Sequence, residues 1–381
     1  MIKKIAFTLT LILGFPGLAQ GPPCDEDIIL VNDAGCSTPC CFQEPPNSGH
    51  YVFRHETVEK IDIRGNSAAV KSLSFPNLTN VEKFIRISFN DSDAISRISF
   101  PALQSAGSLE ITNNPGLTQV DLPRLMVIEN DESDGYLKIQ SNINLVAVNA
   151  PVLQAIEASE AGNAYLQIRY NPALEAIDFP HLNALAAGED FGEAYIFIQG
   201  NQAAESVSMD RLRYLSAGVE SISYLIIDEM FNLQRLSFPQ LKELLPAGGP
   251  SDFSELTVGH SPNLTEFVFP ALERVTLLQL SGLKGTRKAM FPKLAELDYL
   301  WVFRSCDNPN STLKMYICSE GPLVDVLFNN DDGLCGENGY MLYSANPSLL
   351  AECDARDVCS TFIPDVTDCK CGSPGLCTTA Q

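Results

Sequence analysis

The 381-residue chain has no cysteine between Cys41 and Cys306, one tryptophan, four histidines, and 25 Lys plus Arg against 47 Asp plus Glu. Each scarcity excludes something. A formal net charge of −22 speaks against nucleic acid, whose phosphates call for Lys and Arg. The histidines, His50, His55, His181 and His260, are scattered, and neither H-E-x-x-H nor G-x-S-x-G occurs, so the commonest metalloprotease and serine-hydrolase signatures are missing. After the first 20 residues there is no run of about 18 apolar residues, so no transmembrane span is expected. No cofactor motif is found.

The ends carry an address. MIKKIAFTLTLILGFPGLAQ combines Lys3 and Lys4, an apolar run from Ile5 to Leu13, and Gly17-Leu18-Ala19. This reads as a secretory signal peptide over 1–19, cleaved after Ala19. The expected location is extracellular or at a cell surface. The C-terminal CGSPGLCTTAQ has no hydrophobic tail, which speaks against a GPI anchor. Cys24, Cys36, Cys40 and Cys41 crowd one end; Cys306, Cys318, Cys335, Cys353, Cys359, Cys369, Cys371 and Cys377 crowd the other. Even numbers in an exported chain predict disulfides. Cys369-Lys370-Cys371, without a matching pair, is a weak zinc signal.

Between the cysteine clusters the chain repeats. Apolar pairs of the form Leu166-x-Ile168 recur as Ile61/Ile63, Ile85/Ile87, Leu109/Ile111, Leu137/Ile139, Ile196/Ile198, Leu225/Ile227, Leu256/Val258, Leu278/Leu280 and Leu300/Val302. A second marker, Phe179-Pro180-x-Leu182, recurs at 75, 100, 122, 150, 238, 269 and 291, with a degenerate copy at 209–212. The period of about 22 to 31 residues is that of a solenoid. Alternating apolar residues send one face of a short strand inward, and the proline cannot donate to a ladder, so it marks a corner. One repeat cannot bury its face alone; stacked repeats share a core. The expectation is an all-β solenoid of about ten turns over 58–305, closed by disulfide-rich caps at 20–57 and 306–381. Asn66, Asn90, Asn114, Asn142, Asn171 and Asn201 follow the inward residue of six consecutive repeats by three positions. They predict a stacked asparagine ladder that stops where Met230 and Ser261 replace them.

The recurring L-x-I-x-x-N-P-x-L-x-x-I-D-F-P-x-L of 166–182, with relatives at 109–125 and 256–272, resembles the receptor L-domain family. That family includes lobes of insulin- and epidermal-growth-factor-type receptors and fungal wall-biogenesis proteins. The resemblance covers roughly residues 58–305 and implies a right-handed, leucine-rich solenoid at a cell surface. It does not specify a ligand. The chain departs from the receptors in lacking a membrane span and kinase, and from the fungal proteins in lacking an anchor tail.

Outward positions carry function in a solenoid. Tyr136, Tyr165, Tyr195 and Tyr224 occupy one such position in four successive repeats, and should form a row about 4.8 Å apart. Two readings stand: rings presented to sugars, or a stack that stabilises the sheet. Beside them Asp62, Arg86, Glu110 and Lys138 alternate in sign and should pair across strands. Phe197 and Ile226 are apolar candidates for a partner or glycan contact. Trp301 and Phe303 are expected to meet the C-terminal cap. Acidic loops at 128–135, 156–163 and 186–193 cluster at one edge; they are solvated turns or weak Ca²⁺ sites. Sequons occur at Asn77, Asn90, Asn263 and Asn310. Asp121 and Asp178, two turns apart, are the only candidate acid–base pair for polysaccharide hydrolysis. The leading expectation is a non-catalytic module that binds glycan or protein, ahead of a purely structural wall component and of an enzyme.

Overall fold

The computed structural model describes residues 28–31, 50–65, 70–89, 95–245, 253–304, 313–317, 325–330, 340–343 and 359–361. Among them every regular element is a strand, and the strands form a parallel β-solenoid of about seven turns. The turn at 164–193 shows the plan. Its long strand, Ala164–Arg169, pairs in parallel with Gly135–Gln140 before it and Ala194–Gln199 after it. A corner then leads to the short strand Ala176–Asp178, which pairs with Ser206–Ser208. The Phe-Pro corner follows, and Ala184–Ala186 pairs with Ala155–Ala158 and Tyr214–Ser216. An acidic loop closes the turn.

About seven turns stand where ten were expected. Near the ends, Thr57–Arg64, Asn80–Ser88, Arg274–Ser281 and Glu296–Arg304 each fuse the third side of one turn with the long side of the next. The sheets run on into the segments expected as caps. Ile28–Val31 pairs with Thr57–Arg64, and Asp325–Asn330 pairs with Glu296–Arg304, setting Trp301 opposite Leu327 and Phe303 opposite Asn329. The segment expected as a leader and most of those expected as caps lie outside the described residues. So do all the cysteines except Cys359, which begins the strand Cys359–Thr361.

The core follows the sequence pattern. Leu166, Ile168 and their column mates are buried, and burial alternates residue by residue along each long strand. The Phe of the Phe-Pro marker stacks on its counterpart in the next turn: Phe75 and Phe100 at 4.4 Å, with Phe53 continuing the stack at 4.8 Å from Phe75, then Phe238, Phe269 and Phe291 at 5.6 and 5.7 Å. Each such side chain contributes about 1.5–3 kcal/mol on burial.

The corner after the long strand has two layers of control. Its first residue adopts a left-handed backbone in turn after turn: Asn113, Ser141, Tyr170, Gly200, Glu229, His260 and Gly282 have φ between 36° and 69°. The next residue is Asn114, Asn142, Asn171 or Asn201, each with no exposed surface. Asn114 Nδ2 donates to Asn142 Oδ1 at 2.9 Å; Asn142 and Asn171 repeat the contact to the next asparagine at 3.2 Å. Each Nδ2 also donates to a carbonyl of the preceding turn, from Ile87 to Ile168. Each Oδ1 accepts the backbone N–H of the preceding turn's corner. Met230 then stands in the column, 3.9 Å by its sulfur from Asn201 Nδ2, and the Ser261 hydroxyl donates to the Gly259 carbonyl. Asn66 and Asn90 lie outside the described residues.

Candidate functional site

The long strands present their outward residues as a grid. Parallel register puts Tyr136, Tyr165, Tyr195 and Tyr224 in one column. Lys138, Gln167, Phe197 and Ile226 make the second, and Gln140, Arg169, Gln199 and Asp228 the third. Twelve outward side chains of four adjacent strands therefore share one face.

The tyrosine rings are 4.7, 4.7 and 4.5 Å apart and parallel to within 7°. Both faces of Tyr165 and Tyr195 are thus covered by neighbouring rings, and what projects is a row of hydroxyls and ring edges. Upstream the column passes to Ser108; downstream Tyr224 lies opposite Glu255. Burial raises the Tyr165 and Tyr224 hydroxyls well above the usual phenol range, and neighbouring tyrosines and carboxylates add to it. Burial, then Glu193 and Asp134, push Tyr195 up to about 12. These hydroxyls remain protonated donors at neutral pH.

The second and third columns interlock. Arg169 lies over the Phe197 ring at 4.2 Å and the Tyr170 ring at 4.9 Å. Its Nε and Nη2 donate to Gln199 Oε1 at 3.1 and 2.7 Å, and Nη2 reaches the Tyr170 hydroxyl at 3.0 Å. Tyr170 sits over Gly200, where a Cβ would come within 2.6 Å of the ring. No repeated residue type announces this cluster; only the apolar Phe197 was visible as a site candidate in the sequence. Ile226 is half-buried beside it.

Upstream, Arg86 and Lys138 both pair with Glu110, at 3.2 and 3.1 Å. Asp62 departs from the expected cross-strand alternation. It pairs with Arg64 on its own strand, where the two side chains project from the same face two residues apart. At the loop edge, Asp134 Oδ1 accepts the Asn163 N–H and Asn163 Oδ1 accepts the Glu193 N–H, each at 2.8 Å. These side chains brace successive loops. Among the described residues no group of three or more His, Cys, Asp or Glu is placed to hold a metal ion.

Asp121 and Asp178 are differently placed. Asp121 is buried and holds Arg97 Nε and Nη2 at 2.8 and 2.5 Å, with Gln119 Nε2 at 2.8 Å. Asp178 is exposed, and partial burial of its carboxyl together with Asp210 raises its pKa. The Asp121 carboxylate is thus taken up by Arg97 and Gln119, and among the described residues the two aspartates share no partner.

No protein-family model matches the chain, and no curated protein matches it. Among solved structures, the pneumococcal vaccine antigen PcpA overlaps 82% of this chain and 82% of its own, at 10% identity and a TM-score of 0.16. That overlap carries no argument about fold or function.

Proposed function

We propose that the protein is an exported, non-catalytic recognition module that binds a surface glycan or an extracellular protein through the tyrosine face, on a right-handed solenoid of receptor L-domain type. The observation that carries this reading is the outward grid of hydroxyl, amide, guanidinium and apolar groups on four registered strands. A parallel sheet holds such a grid rigidly, so little order is lost on binding. Contacts come from hydroxyls and ring edges, because the ring faces are taken up by stacking.

That same stacking favours a second reading, a structural wall or matrix component whose tyrosines only stabilise the sheet. Two triple variants separate them. Tyr165→Phe/Tyr195→Phe/Tyr224→Phe removes the hydroxyls and keeps the stack; Tyr165→Ala/Tyr195→Ala/Tyr224→Ala removes both. Each is compared with the wild type on a panel of envelope and matrix polysaccharides and by thermal melting. A binding module loses binding in the Phe variant at nearly unchanged stability. A structural component shows no saturable binding, and only the Ala variant differs, in stability.

A further inference from the structure

We infer that the tyrosine face reads a single carboxylate on an otherwise neutral polysaccharide, and that Arg169 is the residue that reads it. This rests on the glycan-binding reading above. The first support is what Arg169 lacks. Its neighbouring cations on this face have carboxylate partners: Arg64 has Asp62, and Arg86 and Lys138 share Glu110. Arg169 pairs with no carboxylate among the described residues, in a chain where Asp and Glu outnumber Lys and Arg 47 to 25.

The second support is how firmly it is held. Phe197 and Tyr170 fix the guanidinium by their rings, and Gln199 Oε1 takes Nε and Nη2. Tyr170 takes its place because Gly200, with φ +69°, leaves room beneath the ring. The clamp uses neutral acceptors only, so no carboxylate within it offsets the guanidinium charge. Nη1 makes no hydrogen bond among the described residues and stays available. Aromatic support and partial fixation prepare a guanidinium for bidentate carboxylate recognition.

The surroundings narrow the ligand. Gln167 Nε2 donates to Gln140 Oε1 at 3.4 Å on the same outward face as the tyrosines. Together they offer several donors and acceptors one strand apart, suited to a polyhydroxyl chain. Asp134, Glu193 and Glu255 lie close enough to influence the tyrosine row. They, and the net charge of −22, repel a densely charged polymer. One carboxylate at Arg169, flanked by neutral sugars on the hydroxyl row, satisfies both constraints.

The test uses the full chain and three probes: a neutral oligosaccharide carrying one uronate, the same molecule with that carboxyl reduced to an alcohol, and an aspartate-rich peptide. Binding is measured by calorimetry for wild type, Arg169→Gln, Arg169→Lys and the triple Phe variant. The expected result is that the uronate probe binds roughly tenfold to hundredfold more tightly than its reduced counterpart. Arg169→Gln abolishes that preference at an unchanged melting temperature, and Arg169→Lys recovers part of it. Equal binding of both sugars to wild type, lost in the triple Phe variant, overturns the carboxylate inference and leaves the glycan-binding reading standing. A preference that persists in Arg169→Gln overturns the assignment to Arg169. Tighter binding of the peptide than of either sugar overturns the polysaccharide class, and binding of no probe overturns the inference along with the glycan reading.

Discussion

Asn171→Ala is the sharpest test of what holds the turns together. The Asn171 side chain has no exposed surface. Its Nδ2 donates to the Ile139 and Arg169 carbonyls, both at 3.0 Å, and to Asn201 Oδ1 at 3.2 Å. Its Oδ1 accepts from Asn142 N at 3.0 Å and Asn142 Nδ2 at 3.2 Å. Some partners are covered twice: Asn142 Nδ2 keeps the Ile111 carbonyl, and Asn201 Oδ1 keeps the backbone N–H of residue 171. The groups most exposed to the loss are the Asn142 N–H and the Ile139 carbonyl. A buried backbone group left without a partner costs about 1–3 kcal/mol, so the substitution should cost about 2–6 kcal/mol in all. Ser261→Ala, at the same corner beyond the ladder, deletes one hydrogen bond to the Gly259 carbonyl and should cost about 1 kcal/mol. Urea unfolding measured by circular dichroism compares the two. A solenoid need not unfold as one unit, so hydrogen exchange of peptides over 139–145 and 168–174 localises the effect. If Asn171→Ala is as stable as Ser261→Ala and those peptides keep their protection, the ladder is not a stabilising element and the reasoning fails.

Tyr195→Ala breaks two ring contacts, each worth about 0.5–1.5 kcal/mol beyond burial, whereas Tyr195→Phe should cost much less; thermal melts of the two variants check this. Burial raises the Tyr165, Tyr195 and Tyr224 hydroxyls above the 10.0 of a free phenol. Their contribution is therefore complete below about pH 10 and is lost as pH rises past it, so Phe at these positions should flatten the alkaline fall in the urea midpoint. His55 is 8% exposed, its ring nitrogens have no hydrogen-bond partner among the described residues, and burial lowers its pKa below 6.5. Stability should thus be complete above pH 6.5 and decline as pH falls through it, and His55→Phe should remove that part of the acid slope. At Gly135 a Cβ would lie 1.8 Å from the Glu157 carbonyl oxygen. Gly135→Ala should therefore destabilise by about 1–3 kcal/mol, and an unshifted melt would show that the loop yields freely.

Periodicity made the core legible. Apolar pairs and Phe-Pro corners recur whatever the rest of a turn does, because every turn must bury the same face. The asparagine column was legible for the same reason: one side chain type meets the same backbone need four times running. The left-handed corner before it was not, since Asn113, Ser141, Tyr170, Gly200, Glu229 and His260 share no chemistry. Their common feature is a backbone angle imposed by the stack. Arg169 was hidden for a related reason. Its partners Phe197 and Gln199 are one turn away, at a distance in sequence that varies with loop length. Counting apolar pairs gave ten turns where about seven stand; the pairs also did not show that near the ends one continuous strand serves two sides. The tyrosine column was visible, but the orientation of its rings was not; face-to-face stacking follows from a strand spacing close to the contact distance of aromatic rings.

The stacked tyrosines and the lone tryptophan give the molecule two optical reporters at separate heights. Four rings at 4.5–4.7 Å should couple electronically and dominate the near-ultraviolet dichroism of the middle turns. Trp301, the chain's single indole, lies in Glu296–Arg304 and reports by fluorescence on the C-terminal part of the sheet. Melting curves from the two signals coincide if the rod unfolds as one unit, and separate if one end frays first.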